Sequence, residues 1–428
     1  GEHISVMVVD DHPMWRDGVA RDLEAAGFEV VATPDGVDAA RRRAGATTPD
    51  VVLMDMHLPD GNGAEATAAV LAVGVLIVVA IGAVFLGSQL WHSLFGGSAD
   101  DYAGDGVNDV VIQVHEGDST TVIAQTLRDS NVVATVSAFV TAADGNSAIS
   151  AIQPGFYKVR TEIPAADAVE RLADPANRVG RLVIPEGRQL DDVRDVKTNA
   201  VTDGILTLIS DASCVDLDGE RRCVSVDDLR NAAAALPPEA LAVPQWAVAP
   251  VLAMGPDHRR LEGLIAPGTW NVDPSAQPRD MLGALIAAGG EVYEQNGLLN
   301  TATSLNMTPY QVLTVASLVQ RESTPEDFAK VARVIYNRLA EQRTLEFDST
   351  VNYALDRIEV ATTDGDRSQE TPWNTYLRPG LPATPICSPG LPALAAAEAP
   401  APGDWLYFVT IDMQGTTLFT REYEQHLA

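Results

Sequence analysis

From Ala66 to Leu90 the chain reads ATAAVLAVGVLIVVAIGAVFLGSQL, an apolar run without one ionisable side chain. A helix of this length crosses about 30 Å of hydrocarbon. Trp91 and His92 follow it, where interfacial anchors belong. The run lies too deep in the chain to be a cleaved signal peptide. It therefore predicts a transmembrane helix over residues 66–95, dividing the 428-residue chain into a short N-terminal part and a long C-terminal one. Flanking charge does not orient the span: the arginines before it end at Arg43 and the first after it is Arg128, beyond the reach of the positive-inside rule. The net charge of −30 argues against a nucleic-acid surface. No His/Cys cluster has metal-ligand spacing, so neither a structural zinc nor any other cofactor is expected.

In the N-terminal part, Val6-Met7-Val8-Val9 is an apolar strand ending in Asp10-Asp11, and Val51-Val52-Leu53-Met54 is a second, ending in Asp55. Residues 1–63 resemble the first half of a response-regulator receiver. The resemblance implies that Asp10 and Asp11 hold Mg²⁺ and that Asp55 accepts phosphate. Carboxylates at strand C-termini suit such a cation. A receiver needs two more β–α units, which carry the Thr/Ser and Lys that complete its site. Here the apolar run begins within a dozen residues of Asp55. With sheet order 2-1-3-4-5 the segment stops at strand three and leaves an edge. The expectation is a fragment incapable of normal phosphorelay.

After the apolar run, residues 96–109 are rich in Gly, Ser and Asp and read as a linker. Val110, Ile112 and Val114 alternate as a strand, and Val122, Ile123 and Leu127 follow at helical spacing. A similar figure recurs at Leu182–Gly187, with Val193 placed as Ile123 is. Residues 188–260 are Ala/Pro-rich and lean helical. Within them Cys214 and Cys223 bracket a short polar loop and would pair in an oxidising compartment, leaving Cys387 over. Strands are expected at Trp405–Val409 and Thr416–Thr420, forming a terminal hairpin.

The most chemically suggestive stretch is Thr308–Glu322, TPYQVLTVASLVQRE. Thr308 and Gln311 form a T-x-x-Q capping box, with Pro309 at the first helical position. Val315, Leu318 and Val319 precede Glu322 by seven, four and three positions, on one arc of the helix. Glu322 thus ends an apolar face, where burial raises a carboxyl pKa. Residues 323–327 open a second helix carrying Val331, Val334, Ile335 and Leu339. A single acid at such a corner suits a general acid. The bland alternative is a helix-end Glu in solvent.

Ordered blocks strengthen the first reading. They are Leu261–Trp270, Ala316–Glu322, Val334–Leu339, Leu345-x-x-Asp348-Ser349-Thr350-Val351-x-Tyr353, Pro372–Tyr376, Gly380–Pro382, Ser388–Gly390 and Leu406–Val409. In this order they resemble the endolytic murein transglycosylase (MltG/YceG-like) family over about residues 66–428. One departure is Gly268, where many members carry an acid. The resemblance implies an α+β architecture: the truncated flavodoxin-like receiver fragment, the transmembrane helix, a LysM-like module at 110–187 and a catalytic domain at 188–428. Phe156-Tyr157 is the module's candidate sugar-stacking pair. The resemblance also implies Glu322 as general acid and then base, cutting the MurNAc–GlcNAc bond of peptidoglycan strands to leave 1,6-anhydroMurNAc ends. Asn337, Asp348, Asn374 and Tyr376 would contact or support the sugar, with a helix-packing amide as the equal alternative for Asn337 and a turn cap as the alternative for Asp348. The expected setting is the plasma membrane, with the N-terminus cytoplasmic, the catalytic domain outside, and penicillin-binding proteins and other wall-synthesis enzymes as partners. Two alternatives stand beside this reading: a receiver-linked membrane signalling protein and a non-catalytic peptidoglycan-binding protein.

Overall fold

The structure is a computed structural model and describes residues 4–9, 16, 19–21, 23–24, 28–54, 57–58, 61–62, 100–359, 362–412 and 416–427. The apolar run at 66–90 and the acids Asp10, Asp11 and Asp55 lie outside the described residues. Among the described residues no helix is long and apolar enough to cross a membrane. The chain forms two compact units, Gly1–Ala99 and Asp100–Ala428.

In the first unit β1 (Ser5–Val9) lies between β2 (Glu29–Ala32) and β3 (Val51–Met54), parallel to both. Its continuous apolar run suits a central parallel strand covered on both faces. Met7 and Val9 accordingly pack with Val37, Ala40 and Ala44, the last three from helix α1 (Val37–Thr47). On β3, Val51 and Leu53 each stay 42% exposed.

The second unit begins with a small module: β4 (Asp109–Val114), α2 (Thr120–Asp129), α3 (Val136–Ala143), β5 (Gly155–Arg160) and α4 (Ala165–Ala173). Ser119 and Thr135 cap α2 and α3 with their hydroxyls. Strands β4 and β5 pair antiparallel, and Ile112, Ile123, Leu127, Phe139, Tyr157 and Leu172 fill a core of the module's own. The second half of the expected linker is not free chain. The Asp101 carboxylate accepts from the Ala165 N–H at the start of α4, Tyr102 donates to Asn131, and Val107 N–H reaches Thr161 O. An acid at a helix N-terminus satisfies an otherwise orphaned donor.

The module ends earlier than the recurring sequence figure predicts. Strand β6 (Arg181–Ile184) pairs antiparallel with β9 (Gly268–Asn271), and Leu182 and Ile184 enter the larger core. The figure at 182–187 is therefore not a second copy of the first. Leu182 and Ile184 alternate inward as a strand, but the partner comes from far along the chain. Between β6 and β9 come α5 (Ile205–Ala212), the hairpin β7 (Val215–Leu217) and β8 (Glu220–Arg222), α6 (Val226–Ala235) and α7 (Gln245–Ala253). A Cys214–Cys223 disulfide closes the hairpin, and Cys387 is free and buried.

The larger core is helical: α8 (Pro278–Gln295), α9 (Leu298–Ser304), α10 (Pro309–Glu322), α11 (Phe328–Ala340), α12 (Asp348–Ala354) and α13 (Leu391–Glu398). The hairpin β10 (Tyr407–Thr410) and β11 (Thr417–Thr420), then α14 (Tyr423–Leu427), close it. Helix α10 is the axis. The arc read from sequence understates it, because every residue from Val312 to Val319 is buried. A helix enclosed on all sides belongs to the middle of a core. Its hydroxyls are satisfied locally: Thr314 donates to Tyr310 O, and Ser317 donates to Thr314 O while accepting from Ile386 N–H.

Candidate active site

The T-x-x-Q box starts α10 as read: the Thr308 hydroxyl accepts from Gln311 N–H, and the Gln311 side chain accepts from Thr308 N–H. The helix ends at Glu322, and Ser323 leaves it extended. Helix α11 starts at Phe328, about a turn later than the sequence suggested. Glu322 is delivered into a cleft of about 540 Å³, shared with Asp348, Arg367, Tyr376, Tyr407 and His426, among others.

Two carboxyls in this cleft are driven in opposite directions. Burial pushes Glu322 up to about 7. The Ser349 hydroxyl pulls back towards the charged form, the neighbouring Asp348 charge pushes further up, and Arg321 pulls back. Asp348 is also partly buried, but hydrogen bonds from Thr362, Tyr376 and Arg367 outweigh that and hold it below the usual carboxylate range. Tyr376 OH donates to its Oδ1 at 2.7 Å. Arg367 donates from Nε to Oδ1 and from Nη2 to Oδ2, both at 3.2 Å, and the Thr362 hydroxyl also reaches Oδ1. This pair places a carboxyl that is still about half protonated near pH 7 beside a fixed negative charge, a division of labour that acid-assisted bond cleavage uses.

Asp348 and Tyr376 thus meet at the cleft with Glu322. Asn374 is buried one step behind: its amide donates to Arg367 O and Gln369 O, and its Oδ1 accepts from Tyr376 N–H. It shapes the loop that carries Arg367 and Tyr376. Of the two readings of Asn337, the structure places it as the helix-packing amide. Its amide donates to Trp405 O at 2.8 Å and Gly403 O at 3.3 Å, tying the approach to β10 onto α11. It borders a separate cavity beside the start of α10. One residue along the helix, Arg338 turns to the cleft instead. Its Nε donates to Leu406 O and its Nη1 to Thr344 O and Leu345 O.

Sequence reasoning missed Arg367, Thr362 and the aromatic wall. The rings of Tyr407, Tyr423 and His426 lie 5.4–6.0 Å apart, and the guanidinium of Arg338 sits 5.0 Å from the Tyr407 ring. The only signal was Tyr407 within the Leu406–Val409 block; nothing local marks Arg367, nineteen positions after Asp348. Gly268, the family departure, begins β9 and does not line this cleft. Phe156 and Tyr157 are corrected as well: they are 8% and 2% exposed and offer no open ring face. In β5 Tyr157 points inward, and its hydroxyl is occupied by Gln153 O.

The sequence profile of the YceG-like family matches residues 112–428. The chain belongs to the YceG-like family. A response regulator receiver domain profile matches residues 6–84, so this YceG-like chain also carries a receiver-type segment. The endolytic murein transglycosylase of Bacillus subtilis is 26% identical over 332 residues, covering 75% of this chain and 84% of that protein. The endolytic murein transglycosylase of Streptococcus pneumoniae (strain D39) is 25% identical over 295 residues, covering 64% of this chain. The chain spans about half of the pneumococcal protein's length, 49%. The crystal structure of a yceG-like protein from Listeria monocytogenes aligns with a TM-score of 0.48 and 24% identity, covering 74% of this chain and 98% of that one.

Proposed function

We propose that this YceG-like protein is a membrane-anchored lytic transglycosylase that cuts peptidoglycan glycan strands internally. The observation that carries the reading is one cleft in which Glu322, at the end of α10 and pushed up by burial, stands with Asp348, which Tyr376, Thr362 and Arg367 hold by hydrogen bonds. The relatives named endolytic murein transglycosylase give the reaction class.

Glu322, protonated, gives its proton to the glycosidic oxygen as the bond to C1 of MurNAc breaks. The positive charge developing at C1 is opposed by Asp348, which Tyr376, Thr362 and Arg367 hold ionised. The C6 hydroxyl of the same sugar then attacks C1 and returns its proton to Glu322. No water is consumed, the acid is regenerated, and the new end is 1,6-anhydroMurNAc. One carboxyl serves as acid and base, unlike the paired acids of hydrolases. The Tyr407–Tyr423–His426 wall supplies ring faces for the flanking sugars.

The span at 66–90 would hold the enzyme at the plasma membrane with residues 100–428 outside. The Cys214–Cys223 disulfide agrees with an oxidising compartment. The strand–helix–helix–strand order of residues 109–160 supports the LysM-like reading, with glycan positioning as its role. Penicillin-binding proteins and other wall-synthesis enzymes would be its partners. The test is to incubate the full chain, wild type and Glu322→Gln, with un-crosslinked glycan strands. Anhydro ends should form with the wild type and fall at least about a hundredfold with the variant. Equal release by both would remove Glu322 from the mechanism.

A further inference from the structure

Glu262 is a carboxyl that the mechanism does not use, and it is almost completely buried, at 1% exposure. Gly263 beside it takes φ +78, and a Cβ there would stand 2.6 Å from Pro385, so the turn presenting Glu262 is tightly fixed. One carboxyl oxygen, Oε2, accepts from Leu190 N–H at 3.1 Å and from Tyr353 OH at 2.9 Å. The other, Oε1, is buried without a hydrogen-bond partner. Among the described residues no cation pairs with it: nearby Arg259 is spent on Asp356 and Asp191. Arg259 also lies over the rings of Tyr353 and Trp373. The other titratable groups that sense Glu262 are Tyr353 on α12, Tyr310 on α10, Tyr293 on α8 and Cys387 before α13, with Asp191 close by. None supplies a positive charge. An ionised carboxylate in that setting is strongly disfavoured, and burial pushes Glu262 up to about 8.

The position explains why a polar group is kept there. Tyr353 belongs to α12, the helix that begins with Asp348 and Ser349, and α12 packs against α10, the helix that ends in Glu322. We propose that Glu262 is a positioning residue: a buried carboxyl that, through Tyr353, fixes α12 beside α10 and so sets Asp348 and Ser349 against Glu322. This inference rests on the transglycosylase reading of that cleft. It differs from a merely structural role because only hydrogen-bond acceptance, not charge, is required of residue 262, and because the effect falls on the chemical step.

The test uses the full-length chain with Glu262→Gln, Glu262→Ala and Tyr353→Phe. The glutamine variant keeps the acceptor and should hold kcat within about threefold. Loss of the tyrosine hydroxyl should lower kcat roughly tenfold with KM little changed, since small misplacements of reacting groups act on the chemical step. Glu262→Ala should do the same or worse; if it fails to fold, Tyr353→Phe still decides. Infrared difference spectra at neutral pH add a readout without substrate. A neutral-carboxyl band should vanish in Glu262→Gln and shift in Tyr353→Phe. Glutamine failing as badly as alanine, Tyr353→Phe with wild-type kcat, or an ionised Glu262 in the infrared would each overturn the proposal. If the wild type released no anhydro ends, the activity reading would fall, and the infrared comparison would still decide on the neutral carboxyl and its bond to Tyr353.

Discussion

Replacing Glu322 by glutamine should make the protein more stable, and by an amount that depends on pH. The carboxyl titrates at about 7 in the folded protein against an ordinary 4.5. Below pH 4.5 both folded and unfolded chains carry it protonated, and it has no effect on the balance. Between 4.5 and 7 the unfolded chain ionises first, so the folded state loses stability as pH rises. Above 7 the loss is complete. Each tenfold change in proton affinity is worth about 1.4 kcal/mol, so the full effect is roughly 3 kcal/mol. One side of the residue opens onto the cleft, and solvent screening there trims the figure to about 2 kcal/mol. Glutamine has no such loss. Urea unfolding of the full chain, followed by tryptophan emission at pH 5 and pH 8, measures the difference. Glu322→Gln should gain about 2 kcal/mol over the wild type at pH 8 and little at pH 5. Glu326→Gln is the matched control. Hydrogen bonds from its own backbone and Thr324 hold that exposed carboxyl low, so its variant should gain nothing at pH 8. Equal Glu322→Gln differences at both pH values would refute the reasoning, because they would mean an ordinary, solvated carboxyl.

Asp348→Asn should move the alkaline limb of the kcat/KM profile to lower pH, because the charge that helps to keep Glu322 protonated is gone. Pre-steady-state pH profiles would check it, and an unmoved limb would place Asp348 outside the site. Reducing Cys214–Cys223, or replacing both by serine, should cost about 2–3 kcal/mol for so short a loop, read as a lower urea midpoint for the hairpin region. Incubating the full chain with a small phosphodonor and Mg²⁺ should leave its mass unchanged, since the first lysine in the sequence is Lys158, far beyond the receiver-type segment. A stable, Asp55-dependent phosphoryl gain would contradict this.

Signals that lie within one element were legible in the sequence. The capping box, proline and apolar spacing fixed the start of α10 and the placing of Glu322 at its end, because a helix obeys local rules. The β10–β11 hairpin was legible for the same reason. The larger catalytic core could be bounded only coarsely: β6 looks like part of the small module until its partner, β9, is known, and that pairing joins residues more than eighty positions apart. Orientation about a helix was the weakest point. Asn337 and Arg338 are neighbours in one block, yet about 100° of rotation sends the amide to the 403–405 backbone and the guanidinium to the cleft. Arg367, which clamps Asp348, has no periodicity or motif of its own; its meaning exists only once the 362–376 loop is folded. Glu262 stands within the Leu261–Trp270 block, but its burial and its bond to Tyr353 are tertiary facts.

The fate of oxygen at the cut bond tests the central claim most directly. Un-crosslinked glycan strands would be incubated with the full chain in heavy-oxygen water, and the new ends analysed by mass spectrometry. Attack by the C6 hydroxyl, with Glu322 serving first as acid and then as base, predicts 1,6-anhydroMurNAc ends that carry no solvent oxygen. Reducing ends that carry one heavy oxygen for each bond cut would show water as the nucleophile and contradict the single-carboxyl mechanism.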